Sequence, residues 1–293
     1  MTRVYSREET RAIPIRARRA SGGVLSGEAK TRRRGFQGLE FADFREYEPG
    51  DEVSRIDWNV TARLGKPWVR TYLEQRGHPV LVMADVSSST LCGRDGSPAP
   101  VIADVAARLA SAAIWNGCET ALVLFADRVR KYVSGATGAA HLVNIVRELK
   151  KMVPGETNTG ETNLGCALDY VQTLRYRRCL IFLISDFLCS DFAKPLRRCA
   201  ARHEIVAIGV GDWERTFELP DCGLVNLRDP ETGCRRQIDT GSREARSAFA
   251  HMIRARHGSN VEAVRDAGVD YLELNTNPGY PASLIAFLRQ RAV

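Results

Sequence analysis

Residues 80–89 read Val-Leu-Val-Met-Ala-Asp-Val-Ser-Ser-Ser. The run Val80 to Ala84 is apolar and too short for a helix, which is how a strand buried on both faces of a parallel sheet reads. It stops at Asp85, the first residue of a D-x-S-x-S stretch. Downstream, Ala121 to Phe125, Leu180 to Ile184 and Ile205 to Ile208 are runs of the same kind. Helical spacing fills the gaps. Ile102, Val105, Leu109 and Ala112 share one face, with Pro100 near the start and Gly117 just past the end. Leu142, Ile145, Leu149 and Met152 share another, stopped by Pro154, and Leu164, Leu168, Val171 and Leu174 a third. Strands alternating with helices predict an α/β fold with a doubly wound, mostly parallel sheet of Rossmann type.

The strand ends carry the chemistry. Leu180 to Ile184 runs into Ser185-Asp186, so two carboxylates, Asp85 and Asp186, are expected at the carboxyl edge of the sheet, where such folds bind ligands. Gly160-Glu161-Thr162-Asn163 stands just before a helix, which puts Thr162 in a loop able to meet the same edge. Asp85, Ser87, Ser89, Thr162 and Asp186 are the candidate metal ligands. Two carboxylates and three hydroxyls are hard oxygen donors, suited to the octahedral coordination of Mg²⁺ or Mn²⁺. Hydroxyl-rich ligation leaves the cation under-neutralised and therefore attractive to a carboxylate from outside. A lone D-x-S-x-S reads equally well as a helix cap; two strand ends with Thr162 between them make a socket for an acidic group.

Around this core the chain divides into a basic arm (1–37), an N-terminal lobe (38–78) and the α/β domain (79–293), with an inserted hairpin and helix near 213–268. The hairpin is expected at Leu224 to Leu227 and Arg235 to Ile238, with a helix from Ser242, a strand from Tyr271 to Leu274 and a last helix from Pro281 to Gln290. In the lobe, Trp68 to Glu74 reads as a strand. The 293 residues carry a net charge of +7. Residues 1–37 hold ten basic and three acidic residues, so that arm accounts for the whole excess. A solvated, extended segment through about residue 24 is expected. Contact of the arm with anionic lipid or nucleic acid is the alternative, and the absence of aromatics among Arg32, Arg33 and Arg34 speaks against nucleic acid. The eight cysteines form no C-x-x-C pair. No apolar run approaches the ~20 residues of a membrane span, and Met1 to Arg19 lacks the apolar stretch of a secretory signal. A cytoplasmic protein with reduced thiols is the expectation.

Asp85, Ser87, Ser89, Thr162 and Asp186 resemble the metal-ion-dependent adhesion site of von Willebrand factor type A domains. The resemblance implies that the serines and threonine face the metal while the aspartates act partly through water. Upstream, Gly38-Leu39-Glu40-Phe41, Arg45-Glu46-Tyr47, Pro49-Gly50-Asp51, Ile56-Asp57-Trp58 and Thr61-Ala62-Arg63 resemble the signature of the bacterial "domain of unknown function 58" family. Leu25-Ser26-Gly27 and Asp229-Pro230-Glu231-Thr232-Gly233 do so too. The chain is similar to the family's soluble branch. The resemblance implies partnership with a MoxR-type AAA+ ATPase, or its client, in chaperone-like complex assembly or maturation. Read physically, Arg45, Asp51, Asp57 and Arg63 suit charge-assisted pairs that fix the lobe, with Phe41, Tyr47 and Trp58 packing it.

The rival class is a Mg²⁺-dependent hydrolase or nuclease. The sequence has no Walker loop, nucleophile elbow or H-E-x-x-H helix, and its five histidines show no ligand spacing. A non-enzymatic, metal-dependent protein-binding module is the expected function.

Overall fold

A computed structural model of the chain describes residues 2–15, 39–48, 51, 53, 56–74, 78–91, 97–151, 162–211, 219–229 and 234–292. The chain divides into two units, Met1–Ala20 with His78–Val293, and Ser21–Gly77. In chain order the elements are α1 (Arg7–Thr10), β1 (Leu39–Glu46), α2 (Trp58–Leu64), β2 (Trp68–Glu74), β3 (Val80–Asp85), α3 (Ala99–Trp115), β4 (Thr120–Phe125), β5 (Val129–Ala136) and α4 (Ala139–Lys151). There follow α5 (Leu164–Thr173), β6 (Leu180–Ser185), α6 (Ala193–Arg202), β7 (Glu204–Val210), β8 (Leu224–Arg228), β9 (Arg235–Asp239), α7 (Arg243–Asp266), β10 (Asp270–Leu274) and α8 (Tyr280–Ala292). Among the described residues no helix is long and apolar enough to cross a membrane.

Six strands of the larger unit form one sheet in the order β10-β7-β6-β3-β4-β5. All neighbours run parallel except the edge pair β4–β5. β3, β4 and β6 are buried along their whole lengths, which is why they read as unbroken apolar runs. Alternate side chains go to opposite faces. Val80, Val82 and Ala84 join a core with Tyr5, Ile13 and the inner faces of α3, α4 and α8. Leu81 and Met83 join a second core with α5, α6 and Val264 of α7. Helices on both faces make the doubly wound, mostly parallel arrangement expected of the strand–helix alternation. Gly117, at φ 77°, closes α3 in the left-handed conformation that suits glycine. The edge strand β5 gave no comparable signal. Its only fully buried residue is Val133, and Lys131 and Arg130 interrupt the pattern, as charges do on a sheet edge.

The start of the chain corrects the expectation of an extended arm. Tyr5 and Ile13 are buried in the core beside α3, the indole Nε1 of Trp115 donates to the Tyr5 carbonyl (2.9 Å), and the Tyr5 hydroxyl donates to Asp104 of α3. Ser6 and Glu9 form a capping box on α1. An arginine-rich composition hid two apolar anchors spaced eight residues apart. Residues 16–24, Leu25-Ser26-Gly27 among the motif pieces, and Arg32, Arg33 and Arg34 lie outside the described residues.

In the smaller unit β1 and β2 pair antiparallel. Here Asp57 serves as the N-cap of α2, accepting from the backbone N–H of Asn59 (2.9 Å) and Val60 (3.2 Å), and Gly65 at φ 73° ends the helix. The Asp51 carboxylate accepts from the Glu48 backbone (3.0 Å). The packing expectation fails for Trp58, which is 65% exposed at the first position of α2. Arg63 is exposed and enters no ion pair among the described residues; the side chains of Phe41 and Arg45 lie outside them. In the larger unit the expected hairpin forms between β8 and β9, closed by Asp229 N–H donating to the Cys234 carbonyl (2.9 Å), and the Ser242 hydroxyl caps α7. Residues 230–233 lie outside the described residues.

Candidate functional site

The sheet order locates the site. From β3 the chain passes through α3 to β4 and β5 on one side, then returns through α4 and α5 to β6 on the other side of β3. The direction of winding reverses between β3 and β6, and in open α/β sheets the crevice beyond the carboxyl ends of such a strand pair is the ligand-binding position. Asp85 ends β3, Ser185 ends β6, and Asp186 follows. The register pairs Ala84 with Ile184, which sets Asp85 beside Ser185.

Hydrogen bonds fix these groups. The Ser185 hydroxyl donates to Asp85 Oδ2 (2.6 Å), and the Ser87 backbone N–H donates to Asp85 Oδ1 (2.9 Å). The hydroxyls of Ser87 and Ser89 are hydrogen-bonded to each other (3.0 Å). Beyond them, Thr90 Oγ1 donates to the Ser87 carbonyl (2.7 Å), holding the turn that presents both serines. On the β6 side, Phe187 N–H donates to Ser185 Oγ (3.1 Å) and Leu188 N–H to Asp186 Oδ1 (3.1 Å). Thr162 arrives from the β4 side. The next residue, Asn163, donates its backbone N–H to the carbonyl of Ala126 (2.8 Å), one residue past β4, and Val86 N–H donates to the Phe125 carbonyl (2.8 Å). The loops after β3, β4 and β6 are thereby tied at one sheet edge, with Asp85, Ser87, Thr162 and Asp186 buried and Ser89 half-buried.

Electrostatics gives this edge its character. Asp85 is 1% exposed. Burial, and next the charge of Asp186, push its carboxyl up to about 7. Two carboxylates desolvated close together, flanked by neutral hydroxyls, suit a hard divalent cation, whose charge relieves both.

Two further residues belong to the site. Ser185 stood in the sequence as a neighbour of Asp186; its register opposite Asp85 makes it a donor to that carboxylate. Asn260 of α7 donates from Nδ2 to the carbonyls of Phe187 (2.7 Å) and Cys189 (3.0 Å). No local signal marks it, because its partners are more than 70 positions away. The loop it grips is strained. Phe187 (φ 52°) and Asp191 (φ 61°) are the non-glycine residues with positive φ among those described. Such conformations cost of order 1–3 kcal/mol each.

Residues 43–259 match the model of the family described as "protein of unknown function DUF58". The chain is 31% identical over 286 residues to uncharacterized protein Rv1480 of Mycobacterium tuberculosis, covering 96% of this chain and 88% of that protein. It is 36% identical over 130 residues to uncharacterized protein MAV169 of Mycobacterium avium, covering 44% of this chain and 76% of that one. Among solved structures, an aerotolerance-related membrane protein from Bacteroides fragilis overlaps 73% of this chain and 98% of its own at 15% identity and a TM-score of 0.42. The SpRpn10 VWA domain overlaps 71% and 93% at 13% identity and a TM-score of 0.35. These overlaps are partial, and the sheet order above is what defines the fold. With a family match over most of its length and a relative aligned nearly end to end, the chain belongs to the DUF58 family of proteins of unknown function.

Proposed function

We propose that this protein is a non-enzymatic binding module that grips an acidic residue of a protein partner through a divalent cation. The observation that carries this reading is the placement of Asp85, Ser87, Ser89 and Asp186 at the reversal point of the sheet, two buried carboxylates beside a hydrogen-bonded pair of hydroxyls. Asp85, Asp186, Ser87, Ser89 and Thr162 would hold Mg²⁺ or Mn²⁺. When bound, the cation supplies a Lewis-acidic position open to an external carboxylate. The chain's own groups do the rest. Ser185 and the Ser87 N–H orient Asp85, Asn163 N–H anchors the Thr162 loop to Ala126, and burial keeps competing water from most of the ligand set. A charge-assisted contact of this geometry selects the partner, while the surrounding surface supplies area. The resemblance of the upstream motifs makes a MoxR-type AAA+ ATPase, or its client, the partner of choice.

The test is a pull-down of a MoxR-type ATPase by wild-type protein and by Asp85→Ala, each in Mg²⁺ and in EDTA. Capture is expected only with the wild type in Mg²⁺. Equal capture in EDTA, or by Asp85→Ala, would sink the proposal.

A further inference from the structure

We propose that Asn260 is the positioning residue of the loop carrying Asp186, so that α7 sets where that carboxylate stands. The inference deepens the metal-site reading and rests on it only for the ligand.

Three observations converge on the segment Asp186–Asp191. It follows β6 directly at the reversal point of the sheet, and its first residue is a candidate ligand. Its backbone passes twice through the left-handed region, at Phe187 and Asp191, without a glycine. A β-carbon makes that conformation unfavourable, so it persists only where neighbours impose it. The Phe187 side chain is fully buried and meets Phe192 (centroids 6.0 Å, 62°) and Tyr271 of β10 (5.9 Å, 75°) edge to face. Those contacts fix the ring. They do not fix the peptide planes on either side of it.

Asn260 fixes the planes. One carboxamide nitrogen carries two protons, and here it donates to two carbonyls two residues apart, Phe187 and Cys189. The loop is closed on its other side by its own short bonds, Phe187 N–H to Ser185 Oγ and Leu188 N–H to Asp186 Oδ1. Asp186 is thus tied to a backbone whose carbonyls are clamped from α7. The helix is itself anchored at both ends of the inserted region. Arg246 pairs with Asp221 just ahead of the β8–β9 hairpin (3.2 Å), and His257, one turn before Asn260, faces Glu273 of β10 (3.7 Å). From α7, Val264 packs in the same apolar core as Phe187, and Asn260 supplies the polar contact that holds the loop's carbonyls.

Hydrogen exchange on the full chain without metal, for wild type and Asn260→Leu, tests the clamp. Leucine keeps the size and removes the donor; Asn260→Ala serves if leucine does not fold. Loop amides 187–191 should exchange at least tenfold faster in the variant while the β3, β6 and β7 amides keep their rates. In parallel, Mn²⁺ titration followed by electron paramagnetic resonance should show affinity reduced at least tenfold, with partial recovery in Asn260→Gln. Unchanged loop exchange overturns the clamp. A rise spread evenly over the core overturns it too, since that is a merely structural role. Faster loop exchange with unchanged Mn²⁺ affinity overturns the positioning of Asp186. If the wild type binds no Mn²⁺, it is the metal reading that fails, and the loop exchange alone decides whether Asn260 holds the segment.

Discussion

Asp85 is a carboxylate retained where an uncharged residue would cost the fold less. Its oxygens accept from Ser185 Oγ and Ser87 N–H, and Asp186 stands near enough to disfavour its ionisation. Removing one of two buried like charges relieves repulsion, and sites that carry such strain commonly trade stability for function. Asp85→Asn should therefore raise the metal-free stability at neutral pH by about 1 kcal/mol and abolish any stabilisation by Mg²⁺, as measured by urea unfolding in EDTA and in Mg²⁺. A loss of metal-free stability would show that the carboxylate is structural. His203 makes the opposite case, a titratable group kept neutral. Its Nδ1 lies 3.3 Å from the Cys179 sulfur, and its buried Nε2 has no hydrogen-bond partner among the described residues. Burial first, then the charges of Arg202 and Arg178, lower it to about 4. Between pH 6.5 and 4 the unfolded chain takes up a proton that the folded chain refuses, so this contribution to stability is complete above 6.5 and lost as pH falls through that window. The loss should be on the order of 3 kcal/mol at most. Urea unfolding of wild type and His203→Gln at pH 7 and pH 4.5 measures it: the variant should lose less on acidification, and identical losses would count against the assignment.

At the scale of elements, the N-terminal segment is integral to the larger unit. Tyr5 packs beside α3, its ring under the guanidinium of Arg108 (4.1 Å), and its hydroxyl shares Asp104 with Tyr280 of α8. One buried carboxylate thus joins the first and last segments of the chain to the helix behind β3. Tyr5→Ala should cost roughly 3–5 kcal/mol in urea unfolding, the range for emptying a buried aromatic position. A change under ~0.5 kcal/mol would restore the solvated arm. The contrast with β3 shows what a sequence discloses. Val80 to Ala84 announces itself because burial on both faces leaves no polar position in the run. Asp85 and Asp186 were legible as edge residues because a parallel sheet puts every such strand end on one side. Tyr5 and Ile13 were not, since anchors separated by charged residues show no periodicity. Asp57, read from the sequence as a partner for neighbouring arginines, also has a local role that the reading did not name: the stretch Asp57 to Gly65 is a short helix with its N-cap and left-handed terminator in place. Asn260 could not be read at all, because its role depends on α7 passing the β6–α6 loop.

Across the whole molecule, charge separates a specific metal effect from a general one. The net charge of +7 lies in residues 1–37 and the remainder is formally neutral. Part of that excess is engaged, since Arg3 pairs with Glu9 within the folded N-terminal segment. A chain with this balance has no reason to accumulate divalent cations over its surface, so stabilisation by Mg²⁺ requires a local concentration of carboxylates. The reversal point between β3 and β6 provides one, with Asp85 and Asp186 both at or below 3% exposure. A ligand that binds only the folded state adds about 2.7 kcal/mol at a hundredfold excess over its dissociation constant. Mg²⁺ at that excess should raise the unfolding free energy of the wild type by this amount, and NaCl of equal ionic strength should not, because screening acts on the surface charges and leaves a buried pair almost untouched. Asp85→Ala should lose the Mg²⁺ increment and keep the NaCl response. If NaCl reproduces the increment, the ions are screening the basic N-terminal region and the buried carboxylates hold no cation.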